Sequence, residues 1–303
     1  MKLLFKRGIK IILIIISSMA FIFTSLFLVA VYDVSKENDI EVLQTIKTVI
    51  SSYIDNPGKI DKLKQQSLKD EVRHITIYYN STLKDILPLT KETLEDAEQL
   101  TKKYLGYEEN SPVDLIFMDM KELKNFSAIE NLSGFYSDID KVIAIGINQE
   151  EVGSIIEKRD NPFYLFQNNI LHEYAHYATF SKLEVLDIQS SIVPKWFIEG
   201  VATYIGENEV QLDYLSFKPN FIKLEKLETN PQWEKALDEE GRNPYYQCYF
   251  TIAFLIHTYG DNVISTLLDE TSTSKNFEAS FQKVTGKKID ELETDIVRYY
   301  EKQ

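Results

Sequence analysis

The sequence predicts an α+β protein: an N-terminal transmembrane helix, then a small mixed-sheet subdomain followed by a mainly helical one. Three observations carry that expectation. Ile11 to Val31 holds no charged residue. Between Val72 and Ile147, β-branched and aromatic runs alternate with a helical stripe. From Asp160 onward the apolar spacing turns almost wholly helical.

The opening segment comes first. Lys2, Lys6, Arg7 and Lys10 precede the apolar run. Its twenty-one residues would rise about 31 Å as a helix, enough to cross a bilayer's hydrocarbon core. A cleavable signal has a shorter apolar region before a small-residue site, and Leu28-Val29-Ala30 is a poor version of one. The expected arrangement is therefore a signal-anchor: residues 1–32 as basic cytoplasmic tip and single-pass span, in contact with the lipid bilayer through 11–31. The N-terminus would lie inside the cell membrane and the remainder outside, or secreted if the segment is cleaved.

Residues 33–70 are polar with Ile40, Leu43, Ile46, Val49 and Ile50 at helical spacing, broken at Asn56-Pro57-Gly58. They read as a helical stalk or a small helical hairpin. Val72 to Tyr79 reads as a strand, 84–105 as a helix ended by Gly106, and Val113 to Met118 as a second strand. Val142 to Ile147 reads as a third, with Gly134 and Asp138 to Asp140 marking turns before it. A long helix is expected to start with Asn161 as cap and Pro162 in its first turn, and to run to about Phe180. A further helix covers about Pro194 to Tyr204, and a linking stretch contains Pro219 and Pro231. More helices follow over Pro244 to Tyr259, near Val263 to Leu268, and from Ile289 onward. Residues 71–303 form one domain in this reading.

The chain has 303 residues, 44% of them hydrophobic, and a net charge of -14. Beyond the four leading basic residues stand 29 positive against 47 negative side chains. Such a surface repels nucleic acid and excludes that class of partner. The single cysteine, Cys248, can form no internal disulfide and carries no thiol motif, so it reads as a small buried apolar residue. Oligomeric state is not encoded in any visible pattern.

The chemistry lies on the long helix, in His172-Glu173-Tyr174-Ala175-His176. Residues four apart share a helical face, so both imidazoles can point at one metal. Glu173 stands beside them, where a carboxylate could take a proton from a water held by the metal. Catalytic zinc usually has three protein ligands, and His257, Asp187 and Glu199 are candidates for the third. Glu199 lies in Trp196-Phe197-Ile198-Glu199-Gly200-Val201-Ala202. His74 and His257 read as structural or exposed, and Trp196 as a core anchor.

With these two segments the sequence resembles the gluzincin zinc metallopeptidases, particularly the bacterial peptidase MA-like families, over about residues 72 to 300. The resemblance implies a zincin-like domain, with His172, His176 and Glu199 as ligands of a zinc ion and Glu173 as general base. It implies a hydrolase, a metalloprotease cutting a peptide or protein substrate, with a tyrosine-containing helix completing the site. Tyr246 is the expected oxyanion donor and Tyr245 the second choice. Residues 142–147 would be the sheet edge nearest the cleft. Thermolysin-like members carry an aspartate four residues after the ligand glutamate, where this chain has Thr203. The rival reading is a non-catalytic, zinc-stabilised binding domain displayed on the membrane.

Overall fold

The computed structural model describes residues 24, 25, 28, 29, 32, 58–108, 110–123, 133–208, 210, 212–214, 221–239 and 241–302. The chain divides into two units, Met1–Pro57 and Gly58–Gln303, and the second contains every element that follows. The expected membrane anchor is corrected here. Among the described residues no helix is long and apolar enough to cross a membrane, and most of 11–31 lies outside them. The fold class is a mixed sheet with helices, and the described residues do not support the expected single-pass membrane location. The helical stripe read over 40–50 also lies outside the described residues.

The second unit opens with helix α1 (Lys59–Gln66), entered through Gly58 in a left-handed conformation at φ 72. Strands β1 (Leu68–Val72) and β2 (Ile75–Tyr79) then form an antiparallel hairpin. The expected strand over Val72–Tyr79 is therefore interrupted. Arg73, at φ 52, and His74 make the hairpin turn, and the residues before it pair rather than coil. Helix α2 (Leu87–Leu105) follows a short 3-10 turn and ends at Gly106, φ 62. Strand β3 (Val113–Asp119) leads into the single turn α3 (Met120–Leu123).

Strand β4 (Gly134–Ser137) was expected to be turn, and β5 (Val142–Ile147) was expected to be the sheet edge. The five strands run β1-β2-β3-β5-β4, with β2, β3 and β5 parallel and both flanking strands antiparallel. So β5 is interior and β4 is the edge. All six residues of β5 are buried, as an interior strand covered on both faces requires.

Alternation along β3 builds the two faces of the sheet. Leu115 and Phe117 join Ile143 and Ile145 in the main core beneath α2 and the long helix. Ile116 and Met118 join Val142 and Ala144 in a smaller cluster covered by Ile60, Leu63 and Leu123.

After α4 (Val152–Ile156) comes the long helix α5 (Asp160–Val185). It starts without a side-chain cap, one residue before the expected Asn161, and runs five residues past Phe180. Helix α6 (Lys195–Gly206) packs on it. Helix α7 (Asn230–Leu237) occupies part of the expected linker, because Thr229 and Gln232 form a capping box and Pro231 fits the first turn. Then come α8 (Pro244–Tyr259), α9 (Val263–Ser274), α10 (Phe277–Thr285), which the sequence reading omitted, and α11 (Ile289–Tyr300).

Candidate metal centre

Two helix contacts define the centre. His172 and His176 stand one turn apart on α5, and Glu199 projects from α6 against them. The α6 backbone is pressed close on both sides by glycines. A Cβ on Gly200 would come within 2.8 Å of Ile252 Cγ1 and 2.9 Å of the Cys248 carbonyl on α8. A Cβ on Gly206 would lie 3.3 Å from His172 Cβ on α5. Small residues at these points let three helices converge. Trp196, fully buried against Phe277, anchors the start of α6 as expected.

The two Nε2 atoms lie 3.1 Å apart. Glu199 Oε2 is 3.5 Å from His172 Nε2 and 3.4 Å from His176 Nε2. That oxygen is buried and makes no hydrogen bond. Two imidazole lone pairs and a bare carboxylate oxygen converging on one point suit a cation. These three residues form a possible metal-binding triad, their ligand atoms within 4.8 Å of one another. The other proposed third ligands are not there. Asp187 is exposed and pairs with Lys275 at 3.1 Å, and His257 is exposed against the Tyr299 ring.

Charge partners decide the ionisation here. Burial pushes the Glu199 carboxyl up, but Lys195, His176 and His172 outweigh it and hold the group well below the usual carboxylate range. Lys195 Nζ sits 2.7 Å from Oε1 of Glu199. Burial lowers the His172 imidazole, yet Glu199 and Glu173 reverse that and leave it raised. Glu173 is buried at 8% exposure and its carboxyl is pushed up by that burial, against the pull of both histidines.

Edge strand β4 lies against Glu173. A Cβ on Gly134 would come within 3.1 Å of Glu173 Cγ. The Gly146 amide donates to the Ser133 carbonyl at 2.9 Å, so antiparallel alternation turns the backbone of Gly134 outward. Ser133 also donates to Asn169 on α5 at 2.9 Å, tying the strand to the helix just before His172.

The adjacent tyrosines of α8 diverge. Tyr245 lies 6.1 Å, ring to ring, from His172 and packs edge-on to Trp233 at 5.0 Å. Burial raises its phenol, and the neighbouring Glu199 and Glu173 add to that. Tyr246, the residue singled out from the sequence, is raised by burial and by Glu207 instead. Successive helical residues point about 100° apart, so only one of the pair approaches the histidines.

The outer contacts depart from the thermolysin pattern. Thr203 donates to its own helix at Glu199 O, 2.8 Å away, and supports no histidine. His176 Nδ1 is buried without a hydrogen bond. At the far end of α6, Glu207 is 5% exposed and accepts a hydrogen bond from Tyr164. Burial raises its carboxyl, against Tyr164, Asn168 and His172. Lys195 and Glu207 were not singled out in the sequence, although Lys195 was visible as the residue one turn before Glu199, and Gly134 was read only as marking a turn.

His74 Nε2 lies 3.5 Å from the Tyr174 hydroxyl behind α5, and Cys248 is free and buried with its thiol pushed well up by that burial.

No family model matches the chain. A protein of Bacillus subtilis (strain 168) described as the uncharacterized protein YhcO is 32% identical over 252 residues, covering 81% of this chain and 77% of that one. At that identity and coverage, this chain belongs to the same family as the Bacillus subtilis protein.

Proposed function

We propose that the chain is a zinc-dependent peptidase of gluzincin type, with His172, His176 and Glu199 as ligands. The observation that carries this is the unpartnered Glu199 oxygen facing two imidazole nitrogens, with a second buried carboxylate, Glu173, beside them. A structural zinc site closes with a fourth protein ligand, whereas the described residues here offer three.

A zinc ion held there would supply Lewis acidity, polarising the scissile carbonyl and acidifying a water. Glu173 takes one proton from the water as its oxygen bonds to the carbonyl carbon and passes that proton to the amine nitrogen as the C–N bond breaks, while the water's second proton stays with the new carboxyl group. The Tyr245 phenol, kept protonated by its burial, donates to the oxyanion as charge develops. The outward backbone at Gly134 offers an extended peptide a strand to pair with, next to the general base.

The test is zinc content and cleavage of a peptide library by the purified full chain, beside Glu173→Gln. The expected result is one zinc per chain in both proteins, with cleavage reduced by about 10²–10⁴ in the variant. Zinc uptake with no cleavage by the wild type would favour a binding domain. No zinc uptake after reloading would overturn the site.

A further inference from the structure

Helix energetics alone do not account for Lys195. It stands in the first turn of α6, where a cation opposes the helix dipole. It also precedes Glu199 by four residues, the weaker of the two orders for such a pair. Even so, the contact is close and sheltered: Nζ to Oε1 is 2.7 Å, with the lysine side chain 25% exposed and the glutamate 6%. The start of the helix is fixed as well. The amides of Lys195 and Trp196 donate to the carbonyls of Glu228 and Leu227, each at 2.8 Å. The lysine therefore leaves the backbone from a rigid point.

The two oxygens of Glu199 have separate surroundings. Oε1 belongs to the ammonium, and Oε2 faces His172 and His176 with no hydrogen bond of its own. We infer that Lys195 is a positioning residue that confines Glu199 to ligation through Oε2 and draws negative charge from it. A metal held by that oxygen then receives less ligand charge and stays a stronger Lewis acid, at a cost in binding affinity. A carboxylate free on both sides could approach through both oxygens and quench the metal's charge further. The ammonium itself repels a divalent cation at short range. Its field also reaches His172 and Glu173.

This inference rests on the metal-hydrolase reading, and its test separates the two. Apparent zinc affinity of the full chain is measured by competition with a chromophoric chelator for wild type, Lys195→Met and Lys195→Arg. Thermal midpoints of the metal-free proteins are taken alongside. The methionine variant is expected to bind zinc tighter by about tenfold, the scale of one screened charge contact. The arginine variant, which keeps the charge, should return to wild-type affinity. Where a peptide is cleaved, Lys195→Met should lower kcat by about tenfold with KM nearly unchanged. An ordinary support for a ligand gives the opposite sign, a loss of about 10–100-fold in affinity. Weaker or unchanged zinc binding in Lys195→Met would overturn the inference while leaving the site intact. A wild type that takes up no zinc would remove the site and the inference together. The affinity measurement decides the matter without any substrate.

Discussion

Helix α6 and its C-terminal cap carry buried carboxylates of equal exposure and opposite character. Glu199, at the start of the second turn, and the capping Glu207 are each 5% exposed and lie about two turns apart. Glu199, beside Lys195 and the two histidines, is held well below the usual range. Glu207, whose hydrogen bond comes from the neutral Tyr164, is raised. Burial acts in the same direction on both, so the partners set the difference. Cations and imidazoles overcome burial and prepare a carboxylate to be a ligand, whereas the weaker pull of a phenol and an amide leaves burial in control and the carboxyl raised. The paired tyrosines of α8 follow the same division, Tyr245 toward the Glu199 end and Tyr246 toward Glu207.

The sharpest way to break this comparison is to remove each carboxylate in turn and measure zinc affinity. Glu199→Ala should lose more than about 100-fold, beyond the range typical of outer contacts. Glu207→Gln, which keeps an acceptor for Tyr164, should stay within about tenfold of wild type. Equal losses would mean that the two ends act as one site. The tyrosines give the next largest effect. Tyr245→Phe should lower kcat by about 10²–10³ with metal retained, as loss of an oxyanion donor does. Tyr246→Phe should change it by less than about tenfold. A reversed order would restore the choice made from the sequence.

That choice shows what the sequence could and could not carry. The spacing of His172 and His176, and the glutamate inside Trp196–Ala202, are local features fixed by helical geometry, so they were legible. Choosing between Tyr245 and Tyr246 required the rotation of α8 about its axis, which depends on packing against α6 rather than on the tyrosines themselves. Strand β4 was missed because four residues, Gly134–Ser137, show no periodicity, and their conformation comes from pairing with β5. The interior position of β5 was readable in principle. An unbroken apolar run, Val142–Ile147, suits a strand covered on both faces better than an edge. The apolar stretch that suggests a membrane span lies mostly outside the described residues.

Between the two carboxylates, the glycines fix how α6 sits, and they should not be equivalent. Gly200→Ala forces a Cβ to within 2.9 Å of a backbone carbonyl, which cannot swing aside, and should cost about 1–3 kcal/mol in chemical denaturation. Gly206→Ala meets Asn168 and His172 at 3.2–3.3 Å, so a shift of a few tenths of an ångström would relieve it. Its stability cost should be smaller, under about 1 kcal/mol. The displacement would fall on the His172 backbone, so zinc affinity is the sensitive readout there. A larger stability loss at Gly206 than at Gly200 would show that the α5 contact, and not the α8 contact, holds the helix in place.

The smallest effect, and the most direct test of the electrostatic contrast, is the pH dependence of stability in the metal-free protein. A raised carboxyl binds its proton more tightly in the folded chain than in the unfolded one. Stability from Glu207 therefore falls as pH rises from the ordinary carboxylate value through the raised folded value. Glu207→Gln removes that term, so the variant should gain on wild type as pH increases across that window. Glu199 has the opposite sign. Its depressed pKa contributes stability that is present above the ordinary value and is lost as pH falls toward the folded one. Glu199→Gln should accordingly lose ground to wild type as pH rises through the acid range, because only wild type gains the ion pair with Lys195. Urea midpoints from acid to neutral pH give both slopes. Slopes of the same sign would mean that burial, common to both residues, outweighs the partners that distinguish them.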